Sequence, residues 1–431
     1  MDYTIEINDP IHGFIGFSDL ETKIVDSHAY QRLRRVKQLS GGHFVYPTAE
    51  HTRFGHCIGA MFLGGLMGEH LLPQMDLGDD HLEEVRTASL LHDIGHGPFS
   101  HVFEEVLLEQ RGLNHEDVTE WMIRESELGD LIERSGLKKD RIASLVRGRR
   151  RNKTDGVLSA IVAGQVDADK MDYLIRDSFY CGVNYGLVDI HRLIASIEVS
   201  DDYTMEFDIA ARGALEAFLV ARYEMFLNVY YHKTVRSVEV MLVRMMTAAD
   251  RVLSFTSFKT PEDFIALDDM SLISQLRKLN ARESDDAAEA LRLVNLLDSR
   301  VLYKSAFEKV LHTQDRFVSK VLTKKRVRES IQEEIASTAG VPVEDVIVDV
   351  PTLPSVPYST DALNPMEIGI FETVDGKKVP HNLSDFSKIG NMMKDYLDVI
   401  RVYTLDKYRS KVGKVARELF REVPETALIH M

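Results

Sequence analysis

A mainly α-helical protein, with a large helical core followed by a smaller α+β C-terminal region, is what the 431-residue sequence predicts. Three observations predict it. Apolar residues recur at helical spacing through the first half, strand-like runs are few and gather late, and Pro351, Pro354 and Pro357 break up the later part.

In chain order, the spacing predicts helices over Leu20–Leu39, Gly55–Leu72, Leu82–His92, Phe99–Glu109, Glu116–Arg124, Arg141–Val146, Ser159–Val166 and Ala168–Phe179. A long helical pattern then runs from Arg212 to Val252, with Leu215, Phe218, Leu219, Tyr223 and Phe226 on one face. Strands are expected at Glu198–Ile209, Val346–Val350, Glu367–Thr373 and Val399–Leu405, and a last helix at Tyr408–Phe420. No internal repeat or low-complexity tract interrupts them. The division expected is a helical core over 1–253 and a mixed α+β region over 254–431 serving oligomerisation or regulation, with the change falling near Ser254–Asp263.

Composition narrows the function classes. Hydrophobic residues at 44% and charged residues at 28% exclude a disordered or fibrous chain. A net charge of −16 argues against a sequence-independent nucleic-acid binder, and no nucleic-acid partner is expected. Two cysteines, Cys57 and Cys181, exclude a disulfide scaffold and fit a reducing compartment. The N-terminus lacks the basic and apolar runs of a secretory signal. Glu69 and His70 interrupt the longest apolar stretch, Gly59–Leu72, so no membrane span is expected and the location expected is cytoplasmic. Two basic clusters, Arg147–Lys153 and Lys324–Arg328, stand out from the acidic background. They read either as solvated loop and helix surface or as anchors for phosphates or a single strand.

The histidines carry the chemistry. Of 16, eight fall between His51 and His115, six of them in the runs HTRFGH, LLHDIGHGPFSH and NHE. Imidazole beside carboxylate in His92-Asp93 suits a divalent cation. Neighbouring side chains diverge by about 100° on a helix, so both reach one ion only near a helix end. Gly95, Gly97 and Pro98 supply that end, and a helix restarting after Gly97 would turn free N–H groups toward the same pocket as a phosphate seat. Further ligands are sought in His56 and Asp169. Asp169, Tyr173 and Asp177 recur every four residues on one helical face beside Lys170, and Asp172 and Arg176 are expected to form a surface ion pair. Asp167 either competes with Asp169 for the cation or starts the helix. Taken singly, His96 and His101 read as structural histidines, and Cys57 as a small buried apolar residue.

The conjunction resembles a known family. NDPIHG (Asn8–Gly13), Tyr30–His56, LLHDIGHGPFSH (Leu90–His101), His115-Glu116 and DADKMDYLIRD (Asp167–Asp177) are similar to the HD-superfamily deoxynucleoside triphosphate triphosphohydrolases, in the branch of the mammalian SAM-and-HD-domain protein; Ile400–Lys411 matches more weakly. The fold implied is an HD-domain helical core. With NDPIHG starting at residue 8, no SAM domain is expected ahead of it. The resemblance implies that one divalent metal ion per active site (Mn, Fe, Mg, Zn or Ni) is held by His56, His92, Asp93 and Asp169. It implies that Arg53, His96, His101, Lys170 and Tyr173 contact the triphosphate or sugar, and that His115 is the general acid. Gln38 and Leu39 would lie against the deoxyribose, with Gln38 and Asp177 near its 3′-hydroxyl, and Arg222 and Tyr230 would contact phosphate and sugar. The activity implied is hydrolysis of a dNTP substrate to deoxynucleoside and tripolyphosphate.

The resemblance further implies a nucleotide activator (GTP or dNTP) bound between subunits of a homodimer or homotetramer. Asp26, Gln31 and Arg34 match its guanine-nucleotide contacts, and Asn8, Arg192 and Lys233 match others nearby. Ile5 replaces a lysine of that site, and Tyr231 stands in place of a glutamine. Without the resemblance, Gln31 and Arg34 read as a solvated helix face. Two rival functions remain at this level: an HD phosphohydrolase acting on another nucleotide, and a non-catalytic nucleotide sensor or nucleic-acid-binding regulator. The set of Arg53, Lys170 and three histidines favours a long phosphate chain over a monophosphate.

Overall fold

The computed structural model describes residues 3–313, 321–322, 324–350, 368–388 and 396–421. It opens on an antiparallel hairpin, β1 (Ile5–Asp9) and β2 (Gly13–Phe17), in a register pairing Ile5 with Phe17 and Asp9 with Gly13. The helices α1 (Asp19–Val25), α2 (His28–Gln31), α3 (Arg53–Leu71), α4 (Asp79–Leu91), α5 (His101–Arg111), α6 (His115–Glu125), α7 (Glu127–Arg134), α8 (Lys139–Val146), α9 (Lys153–Ala163), α10 (Ala168–Cys181) and α11 (Ile190–Ala195) follow. Strands β3 (Ile197–Val199) and β4 (Met205–Asp208) lead into α12 (Arg212–Met225), α13 (Lys233–Leu253), α14 (Pro261–Ile265), α15 (Asp269–Leu276) and α16 (Asp285–Asp298). The remainder is β5 (Lys304–Thr313), α17 (Lys325–Ala339), β6 (Val346–Asp349), β7 (Gly369–Val374), β8 (Lys377–Asn382), α18 (Leu383–Phe386), β9 (Tyr396–Thr404) and α19 (Arg409–Leu419).

Mainly α with a small C-terminal α+β part is therefore the observed class. One apolar core runs from Ile15 on β2 through α3, α4 and α10 to α13 and α16. A second, smaller core joins Ile335 of α17 and Val412 and Ala416 of α19 to Val346, Val348, Ile400 and Val402 of the sheet β5-β9-β6. A third sheet, β3-β4-β7-β8, pairs β4 and β7 in parallel, Phe207 with Ile370. Among the described residues, no helix is long and apolar enough to cross a membrane.

Several elements depart from expectation, each for a local reason. The helix expected over Leu20–Leu39 breaks because Ser27 caps a new helix, its hydroxyl accepting from Tyr30 N–H. The pattern from Arg212 to Val252 is interrupted by a π-helical turn at Phe226–Tyr230, after which His232 caps α13. Glu198–Ile209 folds as two strands around a turn where Tyr203 has φ 58°. The hairpin β1–β2, the long strand β5 and helices α7, α16 and α17 were not anticipated; β1 and β2 are too short to show a clear alternation. Pro351, Pro354, Pro357 and Glu367 lie outside the described residues.

Candidate active site

Three elements deliver the four central side chains. His56 sits in the first turns of α3, His92 caps the C-terminus of α4 with Asp93 just beyond it, and Asp169 lies in the first turn of α10. The α4 helix ends at Leu91, so His92 and Asp93 escape the divergence that helix geometry would impose. Asp167 is the N-cap of α10, its carboxylate accepting from Lys170 N–H, which resolves its alternative reading.

These side chains converge. His56 Nε2 lies 3.2 Å from His92 Nε2, 3.1 Å from Asp169 Oδ1 and 3.5 Å from Asp93 Oδ2. His92 Nε2 is 3.4 Å from Asp93 Oδ1 and 3.6 Å from Asp169 Oδ1. The opposite ring nitrogens are committed elsewhere: His56 donates Nδ1–H to Asp172 Oδ2 at 2.8 Å, and His92 donates Nδ1–H to the Ser89 carbonyl at 2.7 Å. The two Nε2 atoms are thereby turned toward one another, an arrangement that a shared proton or a cation suits. His56, His92 and Asp169 bring three ligand atoms close enough together to hold one divalent metal, and Asp93 lies against both histidines as a fourth candidate donor. Burial favours neutral imidazole at His56, but its bonds to Asp169 and Asp172 outweigh that and push it up to about 10. Burial would raise the Asp169 carboxyl, yet hydrogen bonds and charge from His56 and His92 hold it well below the usual carboxylate range.

Around this centre, Arg53 is buried; its Nη1 pairs with Asp93 Oδ2 and its Nε donates to Ser100 Oγ at 2.7 Å. His96, His101 and His115 gather next to it, with His96 Nε2 3.4 Å from Asp93 Oδ1. The rings of His96 and His115 stack at 4.0 Å and 16°. Stacked rings set their nitrogens side by side, which suits a wall of donors better than a second metal seat. Glu104 clamps the other two, accepting from His101 Nδ1 at 2.9 Å and His115 Nδ1 at 2.7 Å. Burial opposes a charged His115, but Glu104 prevails and the imidazole is pushed up to about 9. Burial and the charges of Arg53 and His115 push His96 the other way, well below its ordinary range.

On the far side, Lys170 Nζ rests on Asp167. Tyr173 and Tyr230 meet edge to face at 6.4 Å, and Tyr230 donates its hydroxyl to Asp177 Oδ2 at 2.7 Å. Asp177 Oδ1 binds His51 Nε2 at 2.8 Å, and His51 stacks on Tyr180. Gln38 hydrogen-bonds through its backbone to His51, while its buried Oε1 has no partner among the described residues; Leu39 packs at the edge of the core. Arg222 lies close enough to Lys170 and Tyr173 for its charge to act on both, and its buried Nε is likewise unpartnered among the described residues.

Gln31 and Arg34 touch: Gln31 donates to the Val25 carbonyl, Arg34 donates to Gln31 Oε1, and the Arg34 guanidinium covers the Phe54 ring at 3.6 Å, while Asp26 caps the C-terminus of α1. Asn8 lies in β1 opposite Phe14, Arg192 on α11 donates to the Ala210 carbonyl, and Lys233 opens α13. These three sit on separate elements. In the basic clusters, Arg147 pairs with Glu116 and Asp117, Arg149 with Glu120, and Lys325 with Glu109.

Two expectations need correction. Asp172 and Arg176 do not form a surface pair: both are buried, because α10 packs against α3 and the pair supports His56. The phosphate seat after Gly97 does not form as expected either. The α5 helix starts only at His101, Phe99 and Ser100 have φ 58° and 52°, and the Phe99 N–H is taken by Asp269 Oδ1 at 2.7 Å. Sequence reasoning missed Glu104, His51, Asp172 and His12. Only Glu104 carried a local signal, three residues after His101 at the start of a helix.

Two glycines are required by close approach. A Cβ on Gly59 would sit 1.9 Å from Asp172 Oδ1, and one on Gly95 would sit 2.3 Å from the His115 carbonyl oxygen. The first lets α3 lie on α10, and the second lets the N-terminus of α6, which carries His115, dock on the loop after His92.

Comparison with known proteins places this geometry. Residues 53–177 match the HD domain and residues 188–427 match the HD associated region. The chain is 32% identical over 360 residues to the deoxynucleoside triphosphate triphosphohydrolase SAMHD1 homolog of Dictyostelium discoideum, spanning 79% of this chain and 66% of that one. It is 30% identical over 414 residues to deoxynucleoside triphosphate triphosphohydrolase SAMHD1 of Bos taurus, spanning 84% and 68%. A crystal structure of a hypothetical protein from Aquifex aeolicus superposes with a TM-score of 0.74 at 29% identity, covering 96% of this chain and 99% of that one. The chain spans only 55% to 66% of the length of the first curated relatives it matches. With its histidines and aspartates gathered from α3, α4 and α10 and both domain matches in place, the chain belongs to the HD superfamily, close to the SAMHD1 branch.

Proposed function

We propose that this protein is a metal-dependent phosphohydrolase that cleaves deoxynucleoside triphosphates to deoxynucleoside and tripolyphosphate. One observation carries the reading: His56, His92, Asp93 and Asp169 converge beside a wall of arginine and histidines, one of which is held protonated by Glu104. The residues that would hold the divalent ion are those four. When bound, it would polarise the α-phosphate and lower the pKa of the attacking water. Arg53 and Lys170 would offset the triphosphate charge that an acidic protein surface could not. As the bond between the α-phosphorus and the 5′-oxygen breaks, His115 gives its proton from Nε2 to that oxygen, while Glu104 keeps Nδ1–H in place and stabilises the cation beforehand. Tyr230, Asp177, Gln38 and Leu39 would define the sugar end, with Gln38 Oε1, which has no partner among the described residues, available to a hydroxyl.

Activation by GTP or a dNTP at Asp26, Gln31 and Arg34, with Asn8, Arg192 and Lys233 completing the site, belongs to the same proposal, as does assembly into a homodimer or homotetramer. The names of the SAMHD1 relatives support the deoxynucleoside triphosphate substrate, and the contact between Gln31 and Arg34 is what the structure offers toward an activator site. The test is to incubate purified protein with Mn or Mg and each of the eight common nucleoside triphosphates, singly and in pairs, and resolve products by chromatography. Tripolyphosphate from deoxynucleotides is expected; release of pyrophosphate or orthophosphate instead, or no product in any combination, removes the proposal.

A further inference from the structure

Asp172 is fully buried and its carboxylate accepts four hydrogen bonds. Oδ2 receives His56 Nδ1 at 2.8 Å and Arg176 Nε at 2.8 Å; Oδ1 receives Arg176 Nη2 at 2.9 Å and His12 Nε2 at 2.7 Å. Arg176 extends the network, its Nη1 donating to Asp9 Oδ2 at 2.9 Å. Asp9 in turn folds the turn between β1 and β2, its Oδ1 accepting from the backbone N–H groups of Ile11 at 2.9 Å and His12 at 3.0 Å. The His12 ring is fixed at the other end of this path against Phe62, 5.3 Å between centroids.

We infer that Asp172 is a positioning residue for the metal centre and that the N-terminal hairpin turn, through His12, is part of its support. The inference rests on the proposed metal site. Asp172 fixes the hydrogen on Nδ1 of His56, since a carboxylate can only accept, so the nitrogen that would give up its proton to a cation is Nε2, on the side of Asp169 and Asp93. His12 and Arg176 fill the remaining lone pairs and stop the carboxylate from rotating. Gly59 leaves the room that Oδ1 occupies, because a Cβ there would lie 1.9 Å from it. The hairpin, with which the chain begins, is thereby tied to a ligand on α3 through a residue on α10.

The test measures Mn2+ affinity by electron paramagnetic resonance titration of the full chain, with melting temperature and turnover in parallel. In Asp172→Asn the new amide can donate to His56 and reverse its tautomer. Mn2+ affinity is expected to fall by about 10- to 100-fold, the scale of losses when a ligand's supporting partner is removed. His12→Ala should weaken Mn2+ several-fold, His12→Gln, which keeps a donor, should restore most of it, and raising Mn2+ should recover turnover in both. Should Asp172→Asn fail to fold, the His12 pair decides. Wild-type affinity in both Asp172→Asn and His12→Ala overturns the inference, as does equal loss in His12→Ala and His12→Gln. No Mn2+ binding by the wild-type chain overturns instead the metal-site reading on which it rests.

Discussion

Glu104→Gln isolates the proposed general acid without touching a metal ligand. Glutamine keeps the size of Glu104 and one acceptor for the two histidines that the carboxylate now clamps at 2.9 and 2.7 Å, but it removes the charge. That charge outweighs burial and places His115 at about 9. A His115 free of it should return toward the ordinary value of about 6.5. The sign follows directly. The competent form is the protonated imidazole, so activity is present below the folded-state value and lost as pH rises through it. In the wild type, the alkaline limb of kcat should fall near pH 9; in the variant it should move down by about two and a half units. At pH 8, the protonated fraction falls from about 0.9 to about 0.03, a loss of roughly thirtyfold, while at pH 6 the two proteins differ by less than about twofold. The assay is product release against pH with saturating metal and substrate. An alkaline limb unchanged in Glu104→Gln, or a uniform loss at every pH, would refute the assignment of His115.

Three further outcomes are expected. Asp169→Asn, or chelation of the wild type, should abolish metal binding and turnover, yet leave the helical circular dichroism intact because the bonds from His56 to Asp172 and from His92 to Ser89 need no cation; retained turnover after verified metal loss contradicts the mechanism. Gly59→Ala drives a methyl group into Asp172 and should cost about 1–3 kcal/mol or more in chemical denaturation, with a destabilisation under about 0.5 kcal/mol counting against the packing described. Tyr230→Phe strips Asp177 of one of its two side-chain partners among the described residues and should raise KM more than it lowers kcat, a change of about 1–2 kcal/mol in kcat/KM; unaltered kinetics would place the sugar elsewhere.

Much of the candidate site was legible in the chain because its chemistry is encoded in short segments. His92 and Asp93 are adjacent, a glycine-proline break follows them, and the spacing of Asp169, Tyr173 and Asp177 sets them on one helix face. The helical class was legible for the same reason, since a period of 3.6 residues is a local property. The break at Ser27, the π-helical turn at Phe226–Tyr230 and the hairpin β1–β2 were not, because caps and pairing partners overrule periodicity there.

What the sequence by itself determined is which donor atoms are present and that the class is helical: imidazoles and carboxylates are chemically suited to a cation wherever the chain puts them. Tertiary structure alone decided how they are oriented. The bond from His56 to Asp172 joins positions 116 residues apart and that from His12 to Asp172 joins positions 160 apart, while Asp269 claims the Phe99 N–H from 170 residues away. No local pattern records such pairs. They form because packing α3 on α10 buries a charge that must then find partners, and the partners it finds choose which nitrogen of His56 faces the proposed metal site.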